Sequence, residues 1–283
     1  MTAPLPPKAF HGGPHRALRV LVFALITAAA VAAPLAAPRL AQDPAYHLFA
    51  DRRALLGIPN AANVLSNLAF LAVGLLGLSV LRARHAELLD ARERAPWAVL
   101  FAGVVLTGAG SVVYHLGPTN GTLAVDRLAM TIGFMGLLSA MIAERLDVRI
   151  GVALLLPLLV IGAASVLWWY GTELRGSGDL RPYLAVQAYP LLAIPLLLVL
   201  GRARYTGSSW LLAALALYAT AKLAEVWDAA IFLATARVVS GHTLKHLLAA
   251  LGIGVLALML ARRRPLAARA PAPGALTRPR VAS

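Results

Sequence analysis

The chain carries apolar residues in long uninterrupted blocks, each able to span a hydrocarbon core that needs about 20 helical residues. Water is absent from the bilayer interior, so each block must satisfy its own backbone hydrogen bonds, and the blocks read as helices. None alternates with period two, which argues against a membrane β-barrel. Composition agrees: 13% of the 283 residues are charged and 60% are hydrophobic, with a mean hydropathy of +0.75. The fold class expected is all-α, a polytopic transmembrane helix bundle.

Hydropathy places eight spans. They begin near Leu18, Asn60, Pro96, Leu123, Ile150, Pro182, Ser208 and His242. They end near Ala37, Leu81, Leu116, Ala143, Tyr170, Leu200, Phe232 and Ala261. This divides the chain into an N-terminal tail (1–17), a first span (18–37), a helical membrane domain (60–261) and a basic tail (262–283) expected to be disordered. The first span partly resembles a signal peptide, with Lys8, Arg16 and Arg19 before it and Ala36, Ala37 and Ala41 near its end. Its apolar run exceeds the usual h-region of about 7–15 residues, which favours an uncleaved anchor. Among the connections, only 38–59 is long.

The formal net charge is +14, yet no aromatic-interleaved basic stripe accompanies it, and nucleic acid is not an expected partner. The arginines lie at the ends of the apolar blocks. One alternating set of segments holds Arg82, Arg84, Arg92, Arg94, Arg145, Arg149, Arg202, Arg204 and Arg262–Arg264, besides both chain ends. The other set holds only Arg39, Arg52, Arg53, Arg175, Arg181 and Arg237. By the positive-inside rule the richer set is cytoplasmic, with both termini inside. There is no cysteine, which excludes disulfides, thiolate metal sites and a cysteine nucleophile.

Ionisable groups within spans cost at least about 2.5–3.5 kcal/mol at the bilayer centre, so each demands a reason. Ser111 and His115 end the third span, and Asp126 opens the fourth. Lys222, Glu225 and Asp228 lie towards the end of the seventh, and His242, Lys245 and His246 begin the eighth. The orientation puts all of them at one depth near the outer surface. His242 and His246, four residues apart, share a helix face and can close on one ion. Three histidines with an open position form a catalytic zinc pattern, in which bound water reaches a pKa of about 7. Asp126 could orient or deprotonate that water, and Ser111 could bond the water or an oxyanion. Each residue alone has a plainer reading: an interfacial histidine, a helix-packing serine, an acid near a helix N-terminus, a Lys222–Glu225 ion pair, a snorkelling Lys245. Their convergence at one depth favours a site.

The runs Gly110-Ser111-Val112-Val113-Tyr114-His115, Asp126-Arg127-Leu128-Ala129-Met130 and Gly241-His242-Thr243-Leu244-Lys245-His246 resemble the alkaline ceramidases. These belong to a superfamily of seven-helix membrane hydrolases that includes the adiponectin-type receptors. Asn63-Val64-Leu65-Ser66-Asn67 resembles the start of that family's first core helix, and Trp227–Phe232 the segment before its last. The resemblance covers about 60–261 and makes the first span an appendage to a seven-helix core, while the Ala/Arg-rich, cysteine-free composition points to a bacterial member, in the inner membrane. It implies Zn2+ held by His115, His242 and His246, with Asp126 as base or positioner and Ser111 at the oxyanion. Asn63, Ser66, Glu225, Asp228 and Lys245 become candidate supporting residues. The reaction implied is hydrolysis of the amide of a ceramide-like N-acyl lipid to a fatty acid and an amine by a zinc-activated water. Ca2+ is doubtful, because Asn60 stands where the eukaryotic members have an acid and only Asp43 and Asp51 lie upstream.

Two other functions fit the residues: a non-catalytic zinc-containing receptor or sensor, and a proton or metal transporter relaying through buried histidines and acids. The almost wholly apolar cytoplasmic halves of the spans count against conduction. A serine hydrolase fails, because Ser111 lacks the G-x-S-x-G elbow.

Overall fold

The computed structural model describes residues 16–266; the expected N-terminal tail and most of the basic tail lie outside them. The described residues contain ten α-helices: α1 (Arg16–Ala36), α2 (Ala61–Ser66), α3 (Leu68–Ala83), α4 (Arg94–Leu116), α5 (Asn120–Arg145), α6 (Val148–Leu174), α7 (Arg181–Leu200), α8 (Ser208–Val226), α9 (Asp228–Ala234) and α10 (Gly241–Arg262). Only two isolated β-bridges occur among them. Eight helical stretches are long and apolar enough to cross a membrane, so the chain is a multi-pass membrane protein.

Neighbouring helices run antiparallel and close together where glycine removes the side chain. A Cβ on Gly110 would meet Asp126, one on Gly103 would lie 2.4 Å from the Gly133 nitrogen, and one on Gly136 would lie 2.6 Å from the Leu100 nitrogen. The order 110–126, 103–133, 100–136 is that of an antiparallel α4–α5 pair with backbones nearly touching, the packing that small residues allow in membranes. Gly103→Ala is therefore expected to lower stability by about 2 kcal/mol, measurable by denaturant unfolding in detergent. An unchanged midpoint would mean that the two helices can move apart at no cost.

The α3 helix packs on both α4 and α10, and α10 packs on α8. The core below the site is built from Trp97, Phe101, Met135, Met141, Ile194 and their neighbours. The first span stands apart. α1 leans on α7, tied by a Thr27–Tyr189 hydroxyl contact, by Arg19 donating to the Leu200 carbonyl and by Arg181 donating to the Leu35 and Ala37 carbonyls.

Three expectations are corrected. Two spans are broken rather than continuous: Asn67 separates α2 from α3, and Trp227 separates α8 from α9. The basic tail does not begin disordered at 262. Arg262 ends α10, and 263–266 lie along 204–206, with Thr206 N donating to Arg264 O and Leu266 N to Arg204 O. The arginine-rich ends of the spans are not wholly apolar either. Glu144 and Arg263 form a buried ion pair there, and Glu93, buried likewise, accepts from Arg204 and Tyr205. Polar groups taken out of water persist when each finds a partner, which run-averaged hydropathy does not register.

Candidate metal centre

Three imidazoles meet at the end of the bundle opposite the arginine-rich end. His115 sits in the last turn of α4, while His242 and His246 occupy the first two turns of α10. The three ring centroids are 4.9 Å apart in every pairing. One nitrogen from each lies within 4.8 Å of the others, and all three residues are buried. His115 Nε2 and His246 Nε2 are 3.3 Å apart. Two ligands each about 2.0–2.1 Å from a tetrahedral ion are separated by about that distance.

Hydrogen bonds around the rings fix which nitrogens can face an ion. Ser66 Oγ donates to the Asn63 carbonyl (2.9 Å), so towards His246 Nδ1 (2.8 Å) it must accept. That places a proton on Nδ1 and a lone pair on Nε2, the arrangement by which an outer partner orients a ligating imidazole. His242 Nε2 accepts from Lys245 Nζ at 2.9 Å, so it too presents a lone pair. Lys245 donates as well to Glu225 (2.8 Å), which also pairs with Lys222. A cation on His242 Nε2 requires Lys245 to turn fully towards Glu225. His115 Nδ1 is buried without a hydrogen-bond partner among the described residues.

The donor set fits a borderline divalent ion of the zinc, copper, iron or nickel group, for which imidazole is the suited ligand; calcium and magnesium prefer oxygen. Repulsion between Lys245 and a divalent ion acts over a few ångströms in a poorly solvated setting. Lys245→Met should thus tighten zinc about tenfold, read by competition with a chromophoric chelator. Unchanged or weaker affinity would show that the ammonium supports His242 rather than opposing the ion.

The expected supporting residues are placed as follows. Ser111 lies one turn before His115, next to Gly110, whose backbone packs against that of Asp126 across the α4–α5 contact. Both side chains are buried, and Asp126 Oδ1 has no hydrogen-bond partner among the described residues. Asp126 is outside the cluster of ligand atoms, among its buried surroundings. It is also no helix cap: α5 begins at Asn120, capped by Thr119, so Asp126 lies about two turns in rather than in the first turn. Asn63 Oδ1 accepts from Thr243 Oγ1 at 2.8 Å, tying α2 to α10 beside His242. Asp228 Oδ1 accepts the His242 backbone N–H at 2.7 Å and Oδ2 the Ala50 N–H at 2.9 Å. Lys245 does not snorkel, being held by Glu225 and His242.

The sequence reading missed the cover. The long connection between α1 and α2 folds over the imidazoles, and Phe49, 4% exposed, packs on His115 (4.6 Å between ring centroids) and His242 (4.8 Å). Its ties reach several helices. Gln42 accepts from Arg127 (2.7 Å), Tyr46 donates to Glu225 (3.0 Å), and His47 bonds both Tyr114 and Asn120 (3.0 Å each). Burial pushes the Tyr46 phenol well above its ordinary pKa, which keeps it a donor. Asp51 is held by Arg53, whose hydrogen bonds pull the Asp51 carboxyl below its ordinary range. Arg127 itself is boxed by the rings of Trp169 (4.1 Å), Tyr183 (4.6 Å) and Tyr46 (5.6 Å). The one available signal was a connection much longer than its neighbours with three aromatic rings in four residues, Tyr46 to Phe49; long ordered loops are commonly functional.

Asn60, proposed at the place of a calcium-binding acid, adopts a left-handed conformation (φ 48°) and donates from Nδ2 to the His115 carbonyl at 2.9 Å. Asp43 caps the short 3₁₀ turn Pro44–His47. The described chain thus holds a buried three-histidine group able to bind a metal ion, while no family model, no curated protein and no solved structure matches it.

Proposed function

We propose that the protein is a zinc-dependent intramembrane amidohydrolase that cleaves the amide of a ceramide-like N-acyl lipid to a fatty acid and a free amine. The observation that carries this reading is the meeting of His115, His242 and His246, from two helices far apart in sequence, with one ring nitrogen of each within 4.8 Å of the others. His115, His242 and His246 would hold the metal. When bound there, zinc supplies Lewis acidity, lowering the pKa of water towards about 7 and polarising a carbonyl. Three neutral ligands leave that acidity undiminished by ligand charge.

The chain's own residues then have distinct tasks. Asp126, with Oδ1 unengaged, accepts a proton from the attacking water and later delivers it to the leaving nitrogen as the C–N bond breaks. Ser111 donates a hydrogen bond to the carbonyl oxygen as that oxygen gains charge. Phe49 shields the imidazoles on the side of the α1–α2 connection. A cavity of about 120 Å³ lies deeper in the bundle, lined almost wholly by hydrocarbon, including Phe70, Leu100, Val104 and Met130. Phe70 also packs edge-on to His246 at 6.1 Å. Such a lining suits an acyl chain whose amide reaches the imidazoles.

The same lining disfavours transport. A relay needs polar groups through the full thickness, whereas hydrocarbon separates the imidazoles from the Glu144–Arg263 pair. On this reading the site faces the periplasmic leaflet of a bacterial inner membrane with both termini cytoplasmic, an orientation that the excess of arginine at the opposite ends of the spans supports. The test is a panel of N-acyl lipids incubated with purified protein, with released fatty acid measured by mass spectrometry. Release from at least one lipid amide, abolished by chelator and restored by zinc, is expected. Zinc-loaded protein that releases no fatty acid from any member would leave a receptor or sensor as the better reading.

A further inference from the structure

We propose that the arginine-rich end of the bundle carries a second binding site, for a phosphate anion, formed by Arg84 at the end of α3 and Arg263 at the end of α10. Both line one small cavity with Leu81, Leu88, Leu260 and Glu87. Each keeps a buried guanidinium nitrogen without a hydrogen-bond partner: Arg84 Nε and Arg263 Nη2. Arg263 is 6% exposed. Its other contacts lock the guanidinium in place, with Nη1 on Glu144 and the plane lying 4.0 Å from the Tyr205 ring centroid and 5.3 Å from that of Trp97. Arg84 donates from Nη2 to the Arg263 carbonyl at 3.4 Å, which binds the two helix ends together.

The cavity, about 10 Å³, has room for about one oxygen atom. A water there could accept from the guanidinium groups, but its own two hydrogens would face three leucines and Glu87. Glu87 already pairs with Arg84. An anionic oxygen accepts from both guanidinium groups and has no hydrogen to place against the leucines, while Glu87, in the same lining, opposes it by like charge. Arginine is the side chain suited to such recognition, through charge-assisted bonds of fixed geometry. The surroundings favour an anion too: Arg82, Arg92, Arg94, Arg145, Arg149, Arg202, Arg204, Arg262 and Arg264 cluster at the same end. This site is independent of the three histidines. Its phosphate can come from a phospholipid headgroup, whose chains would follow the leucine wall, or from a free phosphate ester.

Delipidated protein in non-ionic detergent distinguishes these sources by thermal unfolding with phosphatidylglycerol, with diacylglycerol, which has the chains and no phosphate, or with glycerol 3-phosphate. Phosphatidylglycerol should raise the midpoint by about 5 °C at saturation, and diacylglycerol much less. An equal shift from glycerol 3-phosphate would support the site and assign it to free phosphate; a shift from phosphatidylglycerol alone would assign it to lipid. Arg84→Gln should remove most of the shift. Glu87→Gln, at a side chain 45% exposed, releases Arg84 and should lower the half-saturating phosphatidylglycerol concentration about threefold. Equal shifts from phosphatidylglycerol and diacylglycerol would overturn the proposal. So would a Glu87→Gln response identical to wild type, which decides the matter even if Arg84→Gln fails to fold.

Discussion

Alanine at His115, His242 or His246 is expected to take zinc from about one ion per chain to near zero after gel filtration. Catalytic zinc sites supply three protein ligands, and losing one leaves two imidazoles that cannot retain the ion against dilution. The three variants should behave alike, because the ring centroids form an equal-sided triangle and, among the described residues, no other histidine or acid joins the cluster of ligand atoms. Helicity by circular dichroism should be unchanged, since the bundle packs through the separate apolar core below. Zinc measured by mass spectrometry decides it. Full zinc content in the His115→Ala variant would mean that the ion, if any, sits elsewhere.

Asp126→Asn should keep the zinc and lower lipid-amide turnover about 10²–10⁴-fold, the range for loss of a general base. The substitution preserves shape but removes the ability to take up a proton. Metal content and turnover thus separate in this variant, whereas in the histidine variants they fall together. Turnover within about twofold of wild type would take Asp126 out of the chemistry and leave it as a packing partner of Ser111 between α4 and α5.

What was legible in the sequence follows physical scale. The eight spans were readable because each is decided by some twenty residues whose hydropathy adds up. The breaks at Asn67 and Trp227 were not, because each is decided by one residue and its tertiary partners. The three imidazoles were placed at one depth by combining span direction with the i, i+4 spacing of His242 and His246. Their contact with one another, and the Ser66 bond that orients His246, depend on how α2, α4 and α10 pack, which no local pattern encodes. Phe49 and Tyr46 were invisible for the same reason, as residues of an irregular connection whose roles come only from what they cover. Arg263 was counted as part of a disordered basic tail because composition registers its charge and not the Glu144 carboxylate that receives it.

The most direct measurement is X-ray absorption at the zinc edge of purified, zinc-loaded protein. Three imidazole nitrogens at about 2.0–2.1 Å with one further light-atom ligand, reduced to two imidazoles or no zinc in His242→Ala, is the expected spectrum. A shell made only of oxygen, or one unaltered by that substitution, would contradict a metal centre built from His115, His242 and His246.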